Sequence, residues 1–135
     1  MAARDRPALA AVLLAAACVT APYEGYPLDL PAALPADAFA RCRDVMAREY
    51  GGIDVDDPAA FLLRTRWAPV VDPPGERRAS LYRGGDARLV VVVELRRLTE
   101  PVFAMPRWTE PRGWDAAERE LAEDLREKLF PTVTP

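Results

Sequence analysis

Residues 88–98, RLVVVVELRRL, form the longest β-prone stretch of the chain and decide its fold. Residues 90–93 are four consecutive valines, so both faces of this strand are expected to be buried, as in the centre of a sheet. Side chains alternate along a strand, which places Glu94 and Arg96 on the face opposite Leu95. This strand therefore needs neighbours on both edges and an apolar layer against one face.

Two more strands precede this one in the sequence. Residues 61–68, FLLRTRWA, alternate with a period of two, and four of them are expected to face the core: Phe61, Leu63, Thr65 and Trp67. Residues 77–83 alternate through Ala79 and Leu81, and Gly84-Gly85-Asp86 predicts a hairpin turn into residues 88–98. Residues 53–55 add a short strand.

Two amphipathic helices flank these strands. Residues 37–50 carry an apolar stripe at spacings of three and four: Phe39, Cys42, Val45, Met46 and Tyr50. Residues 114–130 carry a second stripe: Trp114, Ala117, Leu121, Leu125 and Leu129. Each helix is expected to bury its stripe against the sheet.

The order of elements predicts an α+β, two-layer domain over residues 37–133, with a mainly antiparallel sheet of three to four strands packed against two helices. The expected core has twelve members: Phe39, Met46, Phe61, Leu63, Trp67, Val91, Val93, Leu95, Trp114, Leu121, Leu125 and Leu129.

The first eighteen residues, MAARDRPALAAVLLAAAC, have the order of an export signal. Arg4 and Arg6 give a positively charged start, an uncharged run follows, and small residues lead to Cys18. The run is about half the ~20 apolar residues that a membrane-spanning helix needs. Residues 1–17 are therefore predicted to be a signal peptide.

Leu14-Ala15-Ala16-Ala17-Cys18 resembles the lipobox of bacterial lipoproteins. The resemblance implies cleavage before Cys18, lipidation of its thiol and attachment to a membrane. Ala15 stands where the family usually has Leu, and a plain Ala-x-Ala signal with a free Cys18 is the alternative. Val19 replaces the Asp that retains some lipoproteins in the inner membrane, which favours an outer membrane where the cell has one.

Residues 18–36, which begin with the lipidated Cys18, are predicted to be a Pro-rich tether, since prolines at 22, 27, 31 and 35 leave no helical or strand period. The alternative is that Tyr23, Tyr26, Leu28 and Leu30 dock on the domain.

Composition excludes several classes of function. The chain has 18 basic and 21 acidic residues and no His, which argues against a nucleic-acid partner. Without His, the commonest general base, zinc ligand and haem ligand are missing. We expect no cofactor, no metal site and no catalytic residue, and the chain leans away from being an enzyme.

Three features remain as candidate sites. Cys42 lies on a helix stripe, which favours an inert core residue over a redox role. Arg64, Arg66, Glu94 and Arg96 are expected on the outer face of the sheet, as cross-strand ion pairs or as a surface for an acidic partner. Residues 99–113 are broken by three prolines, and they carry three large apolar side chains that form either a lid on the core or an exposed contact site: Phe103, Met105 and Trp108.

A helix, Gly51-Gly52-Ile53 and a strand with Leu63-Arg64-Thr65-Arg66-Trp67 are similar to small α+β domains of bacterial envelope lipoproteins. Some of these are accessory subunits of outer-membrane assembly machines. The resemblance implies an envelope protein as partner and a non-catalytic binding or scaffolding role, but it carries over no functional residue. The alternative is a carboxylate-based hydrolase of envelope polymers, which needs two converging acidic residues, one with a raised pKa.

Overall fold

Residues 25–99 and 105–132 form an α+β fold with two helices and an antiparallel sheet. A computed structural model describes residues 25–99 and 105–132. Its elements, in chain order, are β1 (Tyr26–Pro27), α1 (Ala38–Tyr50), β2 (Ile53–Asp57), β3 (Leu62–Thr65), β4 (Ala68–Val70), β5 (Gly75–Arg83), β6 (Leu89–Arg96), β7 (Leu98–Thr99), β8 (Arg107–Trp108), β9 (Arg112–Gly113) and α2 (Asp115–Leu129).

The main sheet has the strand order β1-β6-β5-β3-β2, with β4 also paired to β5 and β9 also paired to β6. Strand β6 pairs with β5 along its whole length, and its other edge is shared by β1 and β9. Residues 88–98 were predicted to contain an interior strand, and this is confirmed. The sheet is larger than the three to four strands predicted, because the two-residue strands are too short to show a period of two.

The core lies between the inner face of the sheet and the apolar stripes of both helices. Its largest fully buried members are Cys42, Val45, Met46, Leu63, Leu81, Leu89, Val91, Val93, Leu121 and Leu125. Phe39 and Trp114 are half-buried and pack against this cluster. Leu95 and Trp67, both predicted to be core residues, do not belong to it.

The position of Trp67 follows from an irregularity in the strand predicted over residues 61–68. Leu63 pairs with Leu81, whereas Ala68 pairs with Arg77, so the six residues 63–68 face only the five residues 77–81 of β5. An extra residue in one strand reverses the alternation beyond it. Trp67 therefore lies on the outer face, and its prediction as a core residue was wrong.

The N-terminal segment from Tyr26 onward is part of the domain. Tyr26 pairs with Val91, and the Leu28 N–H donates to the carbonyl oxygen of Leu89 at 2.8 Å. Leu28 is buried in the core, and Leu30 packs against it. The structure corrects the expected tether over these residues in favour of the docked alternative. Residues 18–24, with Cys18 and Tyr23, lie outside the described residues.

Gly25 is the position that allows this segment to lie against the sheet. Its φ is +75°, and a Cβ there would be 2.7 Å from methyl carbons of both Val90 and Val92. Only glycine meets both requirements without strain. The backbone at Gly25 thus packs on the outer side chains of β6.

The start of helix α2 is hydrogen-bonded to the edge of β6, at the position between β1 and β9 where no strand pairs with it. The Trp114 N–H donates to the Val93 carbonyl oxygen at 2.8 Å, and the Val93 N–H donates to Glu118 Oε2 at 3.3 Å. The backbone of Val93, which no strand reaches on this side, is therefore satisfied by the start of α2.

Neither described helix is long and apolar enough to span a membrane.

Candidate interaction site

The β7–β8 hairpin projects an apolar surface into solvent. Leu98 and Trp108 face each other across the two strands and are 48% and 44% exposed, and Met105 is 79% exposed. We call these three residues the hairpin patch. Of the two interpretations for residues 99–113, the structure favours the exposed contact site for Met105 and Trp108. Phe103 lies outside the described residues.

The hairpin is held by specific hydrogen bonds on both strands. The Thr109 N–H donates to the Arg97 carbonyl oxygen at 2.7 Å, and the Arg97 N–H donates to Thr109 Oγ1 at 2.8 Å. The Thr99 hydroxyl donates to the Arg107 carbonyl oxygen at 2.8 Å. These bonds fix which face of the hairpin carries Leu98 and Trp108, so the patch is a defined surface.

Trp108 is also attached to the main sheet through Arg96. The Arg96 guanidinium carbon lies 4.3 Å from the ring centroid of Trp108 and 4.1 Å from that of Trp67. The guanidinium carbon of Arg78 also lies over the Trp67 ring, 4.4 Å from its centroid. We call Trp108, Arg96, Trp67 and Arg78 the arginine–tryptophan stack. Cation–π contacts of this kind contribute about 0.5–2 kcal/mol each.

Ion pairs between neighbouring strands neutralise three arginines of the outer face. The pairs are Arg64 with Asp54 at 3.1 Å, Arg78 with Glu94 at 2.6 Å and Arg96 with Glu76 at 2.7 Å. Among the four residues expected on this face, Arg64, Glu94 and Arg96 therefore take part in cross-strand ion pairs. Arg66 lies beside Gly52 and is exposed. The arrangement favours the ion-pair interpretation over a surface for an acidic partner.

A cavity of about 430 Å³ adjoins the hairpin. Leu95 and Trp114 supply apolar walls, while Arg97, Arg112, Thr109 and Glu110 supply polar ones, with Gly113 completing the lining. Leu95 is thus a wall of this cavity and not a core residue. The two guanidinium groups outnumber the single carboxylate, so the cavity is positively charged.

Cys42 has no features of a reactive thiol. Its side chain is 1% exposed, and burial raises its pKa to about 12. The nucleophilic thiolate is therefore almost absent at neutral pH.

Two carboxyl groups meet where α1 contacts α2. Burial and a hydrogen bond with the Asp124 carboxyl raise the pKa of Glu49 to about 7, and the charges of Asp124 and Glu120 act in the same direction. The sequence contained no signal for this pair, because its members lie on different helices, 75 residues apart in the chain. Such a group resembles a general acid in its pKa alone.

The carboxyl groups with raised pKa values do not line the hairpin cavity or three further cavities of the described residues. Glu49 and the buried Glu118 line neither the hairpin cavity nor the three others, which have volumes of about 480, 290 and 390 Å³. Glu127 does line one of these cavities, but hydrogen bonds from Thr132 lower its pKa. A substrate in any of these four cavities would therefore not contact Glu49 or Glu118.

The three aspartates around β2 are engaged in local contacts. Asp54 pairs with Arg64, Asp56 accepts from Arg43 Nε at 2.6 Å, and Asp57 accepts from the Ala60 N–H at 3.2 Å. They act as ion-pair partners and turn acceptors.

The hairpin patch could be located only approximately from sequence. Its large apolar residues between prolines were visible, but the pairing of Leu98 with Trp108 and the stacking of Arg96 depend on long-range contacts.

In comparisons with known proteins, no family model, no curated protein and no solved structure matches this chain.

Proposed function

We propose that this chain is a non-catalytic, lipid-anchored binding or scaffolding protein of the bacterial cell envelope. A lipid on Cys18 holds the domain at a membrane surface facing the periplasm or the exterior, at the outer membrane where the cell has one. The support is the order of residues 1–18: a basic start, an apolar run and Leu14-Ala15-Ala16-Ala17-Cys18.

The binding role is carried by one observation, the exposure of the hairpin patch on a hydrogen-bonded hairpin. Large apolar side chains on a fixed surface are typical of contact sites. The proposed partners are the membrane and an envelope protein.

The non-catalytic part of the proposal is supported by the inert thiol of Cys42 and by the location of Glu49 and Glu118 away from the cavities described above. Each of these groups would need access to a substrate in order to transfer a proton or attack a bond.

The experiment is mass spectrometry of the mature N-terminal peptide from membranes of the native cell. A diacylglyceryl group on Cys18 supports the proposal, and an unmodified N-terminus at or beyond Cys18 overturns it. A Cys18→Ala chain is expected to lose the modification, whereas Cys42→Ala is expected to keep it. Cross-linking of the anchored protein in whole cells then identifies the envelope partner.

The second candidate is a carboxylate-based hydrolase of envelope polymers, and the Glu49–Asp124 pair is the observation that favours it. This candidate predicts hydrolysis of purified cell-wall polymer that is abolished by Glu49→Gln. Equal turnover by native protein and Glu49→Gln would remove it.

A further inference from the structure

We propose that the hairpin patch rests on the lipid bilayer that carries the Cys18 anchor and holds the domain in one orientation on that surface. The inference rests on the proposed lipid anchor. It assigns to Leu98, Met105 and Trp108 a partner of stated chemistry, a bilayer containing anionic phospholipids.

The chemistry of the patch and of its surroundings fits a bilayer surface. Tryptophan at the boundary between lipid and water, with arginines beside it, is typical of segments that lie in the membrane interface. Arg97 and Arg107 directly precede Leu98 and Trp108 in the chain, and Arg112 lies on β9. All three are exposed, and none of them forms an ion pair within residues 25–99 and 105–132.

Two guanidinium groups add positive charge at the base of the hairpin. Arg97 directly precedes β7 and Arg112 lies on β9, and both line the cavity beside the hairpin. Phosphate groups of anionic lipids are attracted to clustered guanidinium groups, and the attraction decreases with salt. The apolar patch and the exposed guanidinium groups next to it in the chain are therefore complementary to the two layers of a lipid surface, acyl chain and headgroup.

The patch is organised before it meets a membrane. Arg96 lies between the rings of Trp67 and Trp108, and Arg96 Nη2 donates to Glu76 Oε1 at 2.7 Å. Trp108 is thereby fixed to the main sheet, with its remaining surface directed outward. A surface fixed in this way loses little conformational entropy on binding.

The direction of β1 allows the lipid on Cys18 and the hairpin patch to contact the same membrane surface. Because β1 is antiparallel to β6, the chain moves towards the Leu95 end of β6 as it is followed from Pro27 back to Tyr26. The hairpin follows that same end of β6. Cys18 precedes Gly25 by seven residues, which span at most about 25 Å. The six residue-to-residue steps from Val92 to Leu98 cover about 20 Å of extended chain, which is within the reach of that segment.

The size of the patch favours a lipid surface over a protein. Stable protein interfaces bury about 800 Å² on each partner, more than three side chains provide. An anchored domain needs much less, because a short connection to the membrane gives the patch a high effective concentration there. A weak contact is then sufficient to select one orientation.

The experiment uses the lipidated protein from native membranes, reconstituted into vesicles of phosphatidylethanolamine, phosphatidylglycerol and a phosphatidylcholine brominated on its acyl chains. Bromine quenches tryptophan emission only at close range. We expect quenching in the native protein, its loss in Trp108→Phe and its retention in the matched variant Trp114→Phe. Equal quenching in Trp108→Phe and native protein would overturn the inference.

A second pair of variants tests the patch without removing a fluorophore. Met105→Glu places a charge in the patch, and Val71→Glu places the same charge at another exposed apolar residue, which is 90% exposed. Losing the burial of a methionine shifts the ratio of docked to undocked domain by about tenfold or more, so quenching should fall for Met105→Glu alone. Equal quenching in both variants, or a dimer of the native protein that Met105→Glu dissociates, would show that lipid is not the occupant.

The two proposals fail separately. If Cys18 carries lipid but quenching is insensitive to Trp108→Phe, the lipid anchor stands and the bilayer contact is wrong. If Cys18 is unmodified, the same brominated vesicles are added to the soluble mature chain. Quenching that depends on Trp108 then supports the contact alone, and its absence overturns the contact as well.

Discussion

The hydroxyl oxygen of Thr65 accepts a hydrogen bond from the backbone N–H of Ala79 at 3.0 Å, in the interior of the sheet where both residues are fully buried. The side chain thus takes the place of a backbone acceptor where β3 ends and one extra residue enters the strand. The Thr65 hydroxyl itself donates to the Arg66 carbonyl oxygen at 3.2 Å. The hydrogen bond from Ala79 to Thr65 satisfies the backbone at the extra residue. Trp67 consequently lies on the outer face, in the arginine–tryptophan stack.

Replacing Thr65 by Val, which has nearly the same shape, should destabilise the protein by about 1–3 kcal/mol, because the Ala79 N–H loses its acceptor in a buried position. Urea unfolding monitored by circular dichroism measures the change. Thr65→Ser keeps the hydroxyl and removes one methyl group, so it should cost only about 1 kcal/mol. A Val variant as stable as the native protein would show that the hydrogen bond is unimportant.

The incorrect prediction of Trp67 as a core residue shows what sequence periodicity cannot detect. Alternation placed Leu63, Ala79, Leu81, Val91 and Val93 correctly, because each lies in an uninterrupted part of a strand. Period two cannot show a bulge, since one extra residue leaves the residue types unchanged and reverses only their direction.

The carboxylate of Glu118 holds α2 on the sheet. It is 3% exposed, and its Oε2 accepts from the Val93 N–H. Glu118→Ala should cost about 1–3 kcal/mol of unfolding free energy, since the buried N–H is left without an acceptor. Burial, opposed by the hydrogen bond from Val93, raises the pKa of this carboxyl above its ordinary value of 4.5. Glu118→Gln, whose amide oxygen can still accept, is therefore expected to be close to native in stability at neutral pH.

Exposed carboxyls of α2 provide the control for Glu118. Glu123→Ala removes a side chain of the same type from the solvent-exposed side of the helix, and it should change unfolding free energy by less than about 0.5 kcal/mol. A loss for Glu118→Ala no larger than for Glu123→Ala would contradict the role assigned to the Val93 contact.

Cys42 should not react with iodoacetamide in the folded protein at pH 8, because its side chain is buried and its pKa is raised to about 12. After unfolding in urea, the same thiol should be alkylated readily. Mass spectrometry of the peptide containing Cys42 measures both states. Fast alkylation under native conditions would contradict the buried, unreactive thiol and favour a redox role for Cys42.

Two-residue strands explain the other differences between sequence and structure. Four prolines in residues 18–36 predict an extended spacer, whereas residues 26–27 form strand β1 of the sheet. Pro27 has no N–H, yet it lies at Val90 on the edge of the sheet, a position that proline tolerates. The hairpin of β7 and β8 could not be predicted either, since its pairing depends on long-range contacts, the hydrogen bond between Arg97 and Thr109 and the stacking of Arg96 on Trp108.

The Glu49–Asp124 contact gives the chain a pH-dependent stability with a definite sign. Burial and the neighbouring Asp124 carboxyl raise the pKa of Glu49 from 4.5 to about 7, while the charge of Arg48 acts against this shift. The folded state therefore binds more protons than the unfolded state between these values. The contribution of Glu49 to the unfolding free energy therefore falls as pH rises from about 4.5 through about 7.

Glu49→Gln should flatten this part of the stability profile, because the variant has no proton to lose at position 49. Its unfolding free energy should exceed that of the native protein at pH 8 and approach it at pH 5, in urea titrations at both pH values. Glu118 contributes a slope of the same sign to both proteins, so the difference between them isolates Glu49. Glu123→Gln, an exposed change on α2, should leave the native slope intact, and a Glu49→Gln profile parallel to the native one would show that the two carboxyls do not share a proton.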